Sequence, residues 1–160
     1  MNVKIKLNGG IMPKKATTGA AGFDVYVPED VMFHRSGRHL LDLKFSIDLP
    51  HGYAATIQPR SGFSAKGMVA MVTNYYDGKA VTSEQRIDAD VIRGLIDEDY
   101  RGTIKVILYI RSNHHDIVFK KGTRIAQMQI LKVPQVELIE TDKLSESDRG
   151  EKGIGSTGVR

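Results

Sequence analysis

The sequence predicts an all-β fold built from short antiparallel strands, and two patterns lead to this prediction. Apolar and polar residues alternate, most clearly in LDLKFSIDL at residues 41–49, where every second side chain is large and apolar. This period of two is typical of a strand with one buried face. In addition, turns that contain Gly or Pro separate such segments along the chain, which favours an antiparallel sandwich or barrel.

The remaining strand candidates follow from the same alternation and from the turn residues that bound them. They are the segments 3–7, 22–27, 53–58, 68–73, 103–110, 125–131 and 136–140. Apolar residues occupy both faces of 103–110, so we expect this strand to be covered on both sides. A single helical turn is expected at 63–66.

The length of 160 residues fits one domain that spans residues 1–160. Within it, the polar stretch 75–92 interrupts the strand pattern and contains an Asp77-Gly78 turn, which indicates an insert that forms a small hairpin. Residues 141–160 are charged and then rich in Gly, and we expect them to form a mobile C-terminal arm.

The composition narrows the class of protein. The chain has no cysteine, which excludes disulfides and thiolate metal sites and fits a reducing compartment, so we expect a cytoplasmic location. No apolar run is long enough to span a membrane. The net charge of +4 favours an anionic ligand, but the chain lacks the Lys/Arg block of a nucleic-acid-binding tail. We therefore expect neither a membrane nor a nucleic acid as partner.

Five short stretches are rich in residues that a fold does not require. They are AGFD (21–24), PRSGFSAKG (59–67), GLIDEDYRG (94–102), RIAQMQI (124–130) and EKGIGSTG (151–158). The turn in the second stretch suits a phosphate, because Arg60 offers a guanidinium fork, Ser61 a hydroxyl, and Gly62 an approachable backbone N–H. The glycine-rich tail suits phosphate groups in the same way.

Each stretch also has an ordinary structural explanation when it is taken alone. Arg60 could lie on a surface turn, Asp97 in a solvated loop, and Tyr100 at the edge of the core. Gln127 could form hydrogen bonds across the sheet, and the tail could be a frayed terminus. The combination of all five is what favours a functional site.

In this order and spacing, the five stretches resemble the five motifs of the trimeric dUTP diphosphatase (dUTPase) family, from about Ala20 to Gly158. The resemblance implies a distorted jelly-roll fold. It also implies hydrolysis of dUTP to dUMP and diphosphate by attack of water on the α-phosphorus. That reaction limits uracil in DNA and supplies dUMP for dTMP synthesis. Mg²⁺ is the implied cofactor, and it is held by the triphosphate rather than by direct protein ligands.

The resemblance assigns roles to residues of the first four motifs. Asp97 is the base that activates water, and Gln127 positions the α-phosphate and that water. Tyr100 packs under the deoxyribose, and Asn74 helps to read the edge of uracil. The implied phosphate ligands are Arg60, Ser61 and Gly62, and Asp24 supports the metal–water network without binding the metal.

The tail motif resembles a lid over the β- and γ-phosphates, and the implied lid residues are Arg149, Ile154, Gly155, Ser156 and Thr157. The resemblance further implies a homotrimer in which three subunits share each site. One subunit gives the first, second and fourth motifs, another gives the third, and the remaining one gives the tail.

Two features depart from the family. Ile154 stands where members usually have phenylalanine, so it can cover the uracil but cannot stack on it. The insert 75–92 is much longer than the usual loop, and it is either a tolerated surface loop or an element that shapes the pocket, thickens a trimer contact or binds another protein. Two rival functions are a dCTP deaminase, which shares the fold, and a regulatory protein that uses the insert.

Overall fold

The structure is a computed structural model that describes residues 1–153, and its regular secondary structure is almost entirely β, as predicted. All strand pairings are antiparallel. The elements in chain order are β1 (Lys4–Leu7), β2 (Phe23–Tyr26), β3 (Val31–Phe33), β4 (Gly37–Asp42), β5 (Phe45–Asp48), β6 (Tyr53–Gln58), α1 (Ser61–Lys66), β7 (Met68–Tyr76), β8 (Lys79–Ile87), β9 (Ala89–Ile92), β10 (Gly94–Ile96), β11 (Lys105–Ile110), β12 (Asp116–Phe119) and β13 (Arg124–Lys132).

The strands form four sheets around one hydrophobic core. Their strand orders are β1-β5, β10-β6-β13-β2, β4-β11-β9 and β3-β12-β7-β8. Each sheet contributes fully buried side chains, among them Phe45, Leu108, Phe119 and Ile125. Because all four sheets contribute to one cluster of buried residues, the strands pack as one unit, while residues 132–153 are exposed.

The predicted strand 41–49 is divided into β4 and β5. Its alternation of buried and less buried residues holds throughout, but Lys44 has a left-handed backbone with φ of 54°. The backbone N–H of Lys44 donates to Asp42 Oδ1 at 2.7 Å, and Thr103 Oγ1 donates to the other oxygen of that carboxylate at 2.7 Å. The resulting turn lets β4 pair with β11 while β5 pairs with β1.

The strand prediction for 136–140 is wrong. No strand follows β13 within the described residues, and Val136, Leu138 and Ile139 are 77%, 95% and 80% exposed. A strand needs a hydrogen-bonding neighbour, and this segment has none in the described chain. Four short strands were not predicted from the sequence: β3, β9, β10 and β12.

The polar stretch 75–92 does contain a hairpin, formed by β7 and β8, but its last residues are not an insert. The hairpin turns at Asp77 and Gly78, which both have positive φ, as a two-residue turn of type I′ requires. β9 pairs with β11, and its Ala89 and Val91 are buried in the core. The insert is therefore limited to the outer part of the hairpin.

The expectation that the strand at 103–110 is covered on both sides is wrong for the single chain. On the outer face of β11, Ile107 is half-buried and Tyr109 is 40% exposed, and Leu40 on the neighbouring β4 is 65% exposed. An apolar outer face remains on this sheet. The helix α1 begins at Ser61, two residues before the predicted turn, and among residues 1–153 no helix has the length and apolarity needed to cross a bilayer.

Candidate active site

The first part of the site lies where β13 runs between β2 and β6. The strand register places Gln127 of β13 opposite Asp24 on one side and Gln58 on the other. Gln127 Nε2 donates to the backbone oxygen of Pro59 at 2.9 Å, which ties the strand to the start of the PRSG turn. Gly22 is adjacent, and a Cβ there would lie 3.2 Å from Gln127 Oε1. The glycine thus leaves this oxygen accessible.

A mostly buried carboxylate orients the arginine of the PRSG turn. Asp24 Oδ1 lies 2.9 Å from Arg60 Nε, and its Oδ2 lies 3.6 Å from Arg124 Nη1, while the Asp24 side chain is 10% exposed. The Arg60 guanidinium also lies 5.1 Å from the centre of the Phe63 ring. These contacts restrict Arg60 to one direction, which preorganises it for an anion.

These residues surround one open pocket, which we call the cationic pocket. Five predicted site residues line it: Asp24, Arg60, Ser61, Gly62 and Gln127. Lys66 of α1 and Arg86 of β8 also line it, and neither was predicted. With three cationic side chains, one hydroxyl and one carboxylate already paired, the pocket suits a ligand that carries several negative charges.

Asp97 and Tyr100 line a different cavity, which we call the apolar cavity. It lies beside β10, and apolar side chains such as Ile92, Leu95 and Ile107 form most of its wall. The Tyr100 hydroxyl donates to the backbone oxygen of Thr103 at 3.1 Å. Gly102 accommodates the ring, because a Cβ at that position would collide with it. The cavity thus combines an oriented phenol ring with an exposed carboxylate.

Two other charged residues of GLIDEDYRG, Glu98 and Arg101, hold its loop in place. Glu98 accepts hydrogen bonds from His51 Nδ1 at 2.8 Å and from the backbone N–H of Gly52 at 2.5 Å, and these two bonds lower the pKa of Glu98. Arg101 pairs with Asp48 at 2.8 Å. Glu98 and Arg101 are therefore structural, while Asp97 remains at the cavity.

The structure does not bring Asn74 to either cavity. Its Oδ1 accepts a hydrogen bond from His114 Nδ1 at 3.1 Å, and it lines a separate shallow pocket near the hairpin. In the same pocket region, His34 Nδ1 donates to Asp116 Oδ1 at 2.9 Å, and His115 Nδ1 lies 3.2 Å from that oxygen. The hydrogen bond from His34, and then that from His115, lower the pKa of the Asp116 carboxyl.

Of the tail residues, only Arg149 lies in the described part of the chain. Its Nε donates to the backbone oxygen of Lys152 at 3.0 Å, within a turn, and it lines neither the cationic pocket nor the apolar cavity. The predicted lid residues Ile154, Gly155, Ser156 and Thr157 lie outside the described residues.

Across residues 1–153, no group of three or more His, Asp or Glu side chains is arranged to hold a metal ion. The carboxylate of the cationic pocket, Asp24, faces Arg60 and Arg124.

Comparisons with known proteins match this chain over nearly its whole length. A family model described as dUTPase matches residues 8–83 and 80–158. A deoxyuridine 5'-triphosphate nucleotidohydrolase of Hydrogenobaculum sp. (strain Y04AAS1) is 39% identical over 150 residues, which cover 93% of this chain and 91% of the relative. The enzyme of the same description from Nautilia profundicola is 38% identical over 160 residues and covers 99% of both chains.

Solved structures show the same fold. A mutant of the dUTPase of Staphylococcus bacteriophage 80alpha, with dUpNHpp, superposes with a TM-score of 0.77 at 22% identity and covers 99% of both chains. A mutant of the dUTPase from phage phi11 of S. aureus, described as coordinating a structural Mg(II) ion, has a TM-score of 0.71 at 16% identity. The match covers 89% of this chain and 98% of the phage chain.

Proposed function

The chain belongs to the dUTPase family, and from that premise we propose that it hydrolyses dUTP to dUMP and diphosphate. One observation of this structure carries the proposal: five residues from three separate motifs line a single cationic pocket. Triphosphates carry several negative charges, and such a pocket is suited to hold them.

In the proposed reaction, the cationic pocket binds the phosphates. Arg60, oriented by Asp24, forms charge-assisted hydrogen bonds with phosphate oxygens, and the Ser61 hydroxyl and Gly62 backbone N–H add two donors. The Nε2 of Gln127 is engaged by Pro59, so its Oε1 is left to accept a hydrogen bond from the attacking water. The proposed role of the tail residues Arg149 and 154–157 is that of a lid over the β- and γ-phosphates.

The apolar cavity is proposed to bind the nucleoside. Tyr100 packs under the deoxyribose and leaves no room for a 2′-hydroxyl, while the apolar wall that includes Ile92 and Leu95 receives the uracil. Asp97 accepts a proton from water as the water attacks the α-phosphorus, and the bond from that phosphorus to the bridging oxygen of diphosphate breaks. Asn74 lines a separate pocket of the single chain, and because the site is proposed to be shared between copies, it remains a proposed reader of the uracil edge.

We propose that the active sites are shared within a homotrimer. In one chain the phosphate residues and Asp97 line different cavities, which supports a site assembled from two copies. The apolar face of β4-β11-β9, with Leu40, Ile107 and Tyr109, is available to contact a second copy. A cyclic trimer would then form three equivalent sites.

Mg²⁺ is the proposed cofactor, and it enters with the triphosphate. The metal neutralises charge that develops on the phosphates. Within this chain, Arg60 and Arg124 keep the Asp24 carboxylate near the phosphates, where it can accept hydrogen bonds from metal-bound water. We further propose a cytoplasmic location and a role in limiting uracil in DNA and supplying dUMP for dTMP synthesis.

The test of this function is the release of diphosphate from dUTP, measured beside dCTP, dTTP and UTP with Mg²⁺ present. We expect turnover of dUTP and much less of the other three. Asp97→Asn is the control, because its amide cannot accept the proton of water, and it should lose about 10²–10⁴-fold in kcat. Equal turnover of dCTP, or release of ammonia from it, would favour the deaminase alternative.

A protein-binding role for the hairpin is a second proposal. The observation that favours it is the exposure of apolar side chains near the hairpin turn: Tyr75, Tyr76 and Val81 are 53%, 61% and 49% exposed. Aromatic residues are enriched in protein interfaces. This role would leave the hydrolysis in place.

A further inference from the structure

The hairpin also reaches the phosphate side of the site through its inner part. Arg86 comes just before Ile87, the buried last residue of β8. It lines the cationic pocket together with Val69, the residue opposite it on β7. Because side chains alternate along a strand, Arg86 and Val69 point away from the core side, where Met68 and Ile87 are buried. The hairpin stem thus presents a cation to the pocket.

The carbonyl of Gly67 helps to hold Arg86 in this position. Arg86 Nη1 lies 3.5 Å from that oxygen, at the C-terminal end of α1. Gly67 itself has φ of 77°, and a Cβ there would collide with the backbone oxygen of Ile87. This close approach brings the end of β8 against the end of α1.

Arg86 differs from Arg60, the predicted phosphate ligand, in that its positive charge is not paired with a carboxylate within the described part of the chain. Arg60 and Arg124 both face Asp24, so their charges are partly offset. Among residues 1–153, Arg86 and Lys66 take part in no ion pair within 4 Å. The positive charge of these two residues is available to a ligand.

The position of this charge within the pocket indicates which part of the ligand it contacts. Gln127, Ser61 and Gly62 lie near the start of α1, while Lys66 and Arg86 lie near its end. Lys66 lies four positions after Gly62 in the helix, which corresponds to about 6 Å along the helix axis. If the α-phosphate lies beside Gln127, the β- and γ-phosphates extend toward Lys66 and Arg86.

We propose that Arg86, contributed by the hairpin, binds the β- or γ-phosphate of the substrate and so makes the site selective for triphosphates over the monophosphate product. The proposal rests on the proposed dUTP hydrolysis. It gives the inner part of the hairpin a role in shaping the substrate pocket and leaves the role of the outer part open to the other proposal. Charge-assisted hydrogen bonds from a guanidinium to phosphate are the physical basis of the selectivity.

The test is binding of the uncleaved α,β-imido analogue of dUTP and of dUMP, measured by titration calorimetry with Mg²⁺ present. Arg86→Ala should weaken binding of the analogue about tenfold, the amount expected for one lost charge-assisted contact, and should leave dUMP binding unchanged. Arg86→Lys should recover part of the loss, since it keeps the charge without the planar fork. Lys79→Ala is the matched control, because it removes one charge from the hairpin at its turn, outside the pocket.

Three outcomes separate the alternatives. If wild type hydrolyses dUTP and Arg86→Ala binds the analogue as wild type does, the Arg86 proposal is overturned and the proposed function stands. If Arg86→Ala loses affinity for the analogue and for dUMP equally, Arg86 does not select triphosphates and the proposal is also overturned. If wild type neither hydrolyses dUTP nor binds the analogue, the proposed function fails and the Arg86 proposal falls with it.

Discussion

Two variants that are each inactive should regain activity when their subunits are mixed, because the two parts of the proposed site lie in different cavities of one chain. Arg60→Ala damages the cationic pocket and leaves the apolar cavity intact. Asp97→Asn damages the apolar cavity and leaves the cationic pocket intact. Each variant alone should lose about 10²-fold or more in kcat/KM.

The expected recovery follows from the geometry of a cyclic trimer. Each site would take its cationic pocket from one subunit and its apolar cavity from the neighbouring one. In an equimolar random mixture, about half of the pockets and about half of the cavities are undamaged, so about one quarter of the sites combine two intact parts. We expect about 25% of wild-type dUTP hydrolysis after the subunits are exchanged by reversible denaturation, and none above the parental level before exchange.

A matched pair of variants provides the control. Arg60→Ala and Gln127→Ala both damage the cationic pocket, so no site in their mixture is intact, whatever the subunit arrangement. The reasoning is refuted if native mass spectrometry shows mixed trimers of Arg60→Ala and Asp97→Asn but activity stays at the parental level. In that case each site is built within one chain.

Three further perturbations test other parts of the structure. Acidification should destabilise the fold as the pH falls below about 4, the ordinary carboxyl range, because the pKa of Asp116 is lowered in the folded state. The stability that the ionised Asp116 contributes at higher pH is lost as this carboxyl is protonated. Asp116→Asn should flatten this part of a plot of Tm against pH, and an unchanged slope would show that Asp116 is not the group responsible. Gly67→Ala should cost about 1–3 kcal/mol and several degrees in Tm, because its φ is 77° and its Cβ would meet the oxygen of Ile87, whereas Gly19→Ala, in open space, should cost little. Replacement of 75–80 by Asn-Gly should keep the remaining hairpin pairs and dUTP hydrolysis, and loss of activity in a folded variant would place the outer hairpin in the site.

The strand pattern could be predicted well where it depends on neighbouring residues. The alternation in 41–49 gave the buried face correctly. The break at Lys44 could not be predicted in this way, because Thr103, a residue 61 positions from Asp42 in the chain, helps to form it. The segment 136–140 failed for the opposite reason: its local pattern suits a strand, but a strand forms only where another strand is available to pair.

The site shows the same division. Arg60, Ser61 and Gly62 are consecutive, so their motif alone predicts that they act together. Arg86 lies far along the chain, and its place depends on the hairpin register. If residues are paired outward from the two-residue turn at Asp77-Gly78, Val69 lies opposite Arg86. The sequence therefore predicts the position of Arg86 in the hairpin once the turn is placed.

The two strand predictions that failed share a physical explanation. The outer face of β11 with Ile107 was expected to be covered, and the segment with Leu138 was expected to form a strand. Both are apolar and uncovered in the single chain. Burial of one large aliphatic side chain contributes about 1.5–3 kcal/mol. A second copy that covered both surfaces would therefore gain several such contributions, and it would bring another subunit's chain close to the apolar cavity beside β10. The apolar pattern that misled the strand assignment is thus an argument for the shared site, and the subunit-mixing experiment tests the same contact through catalysis.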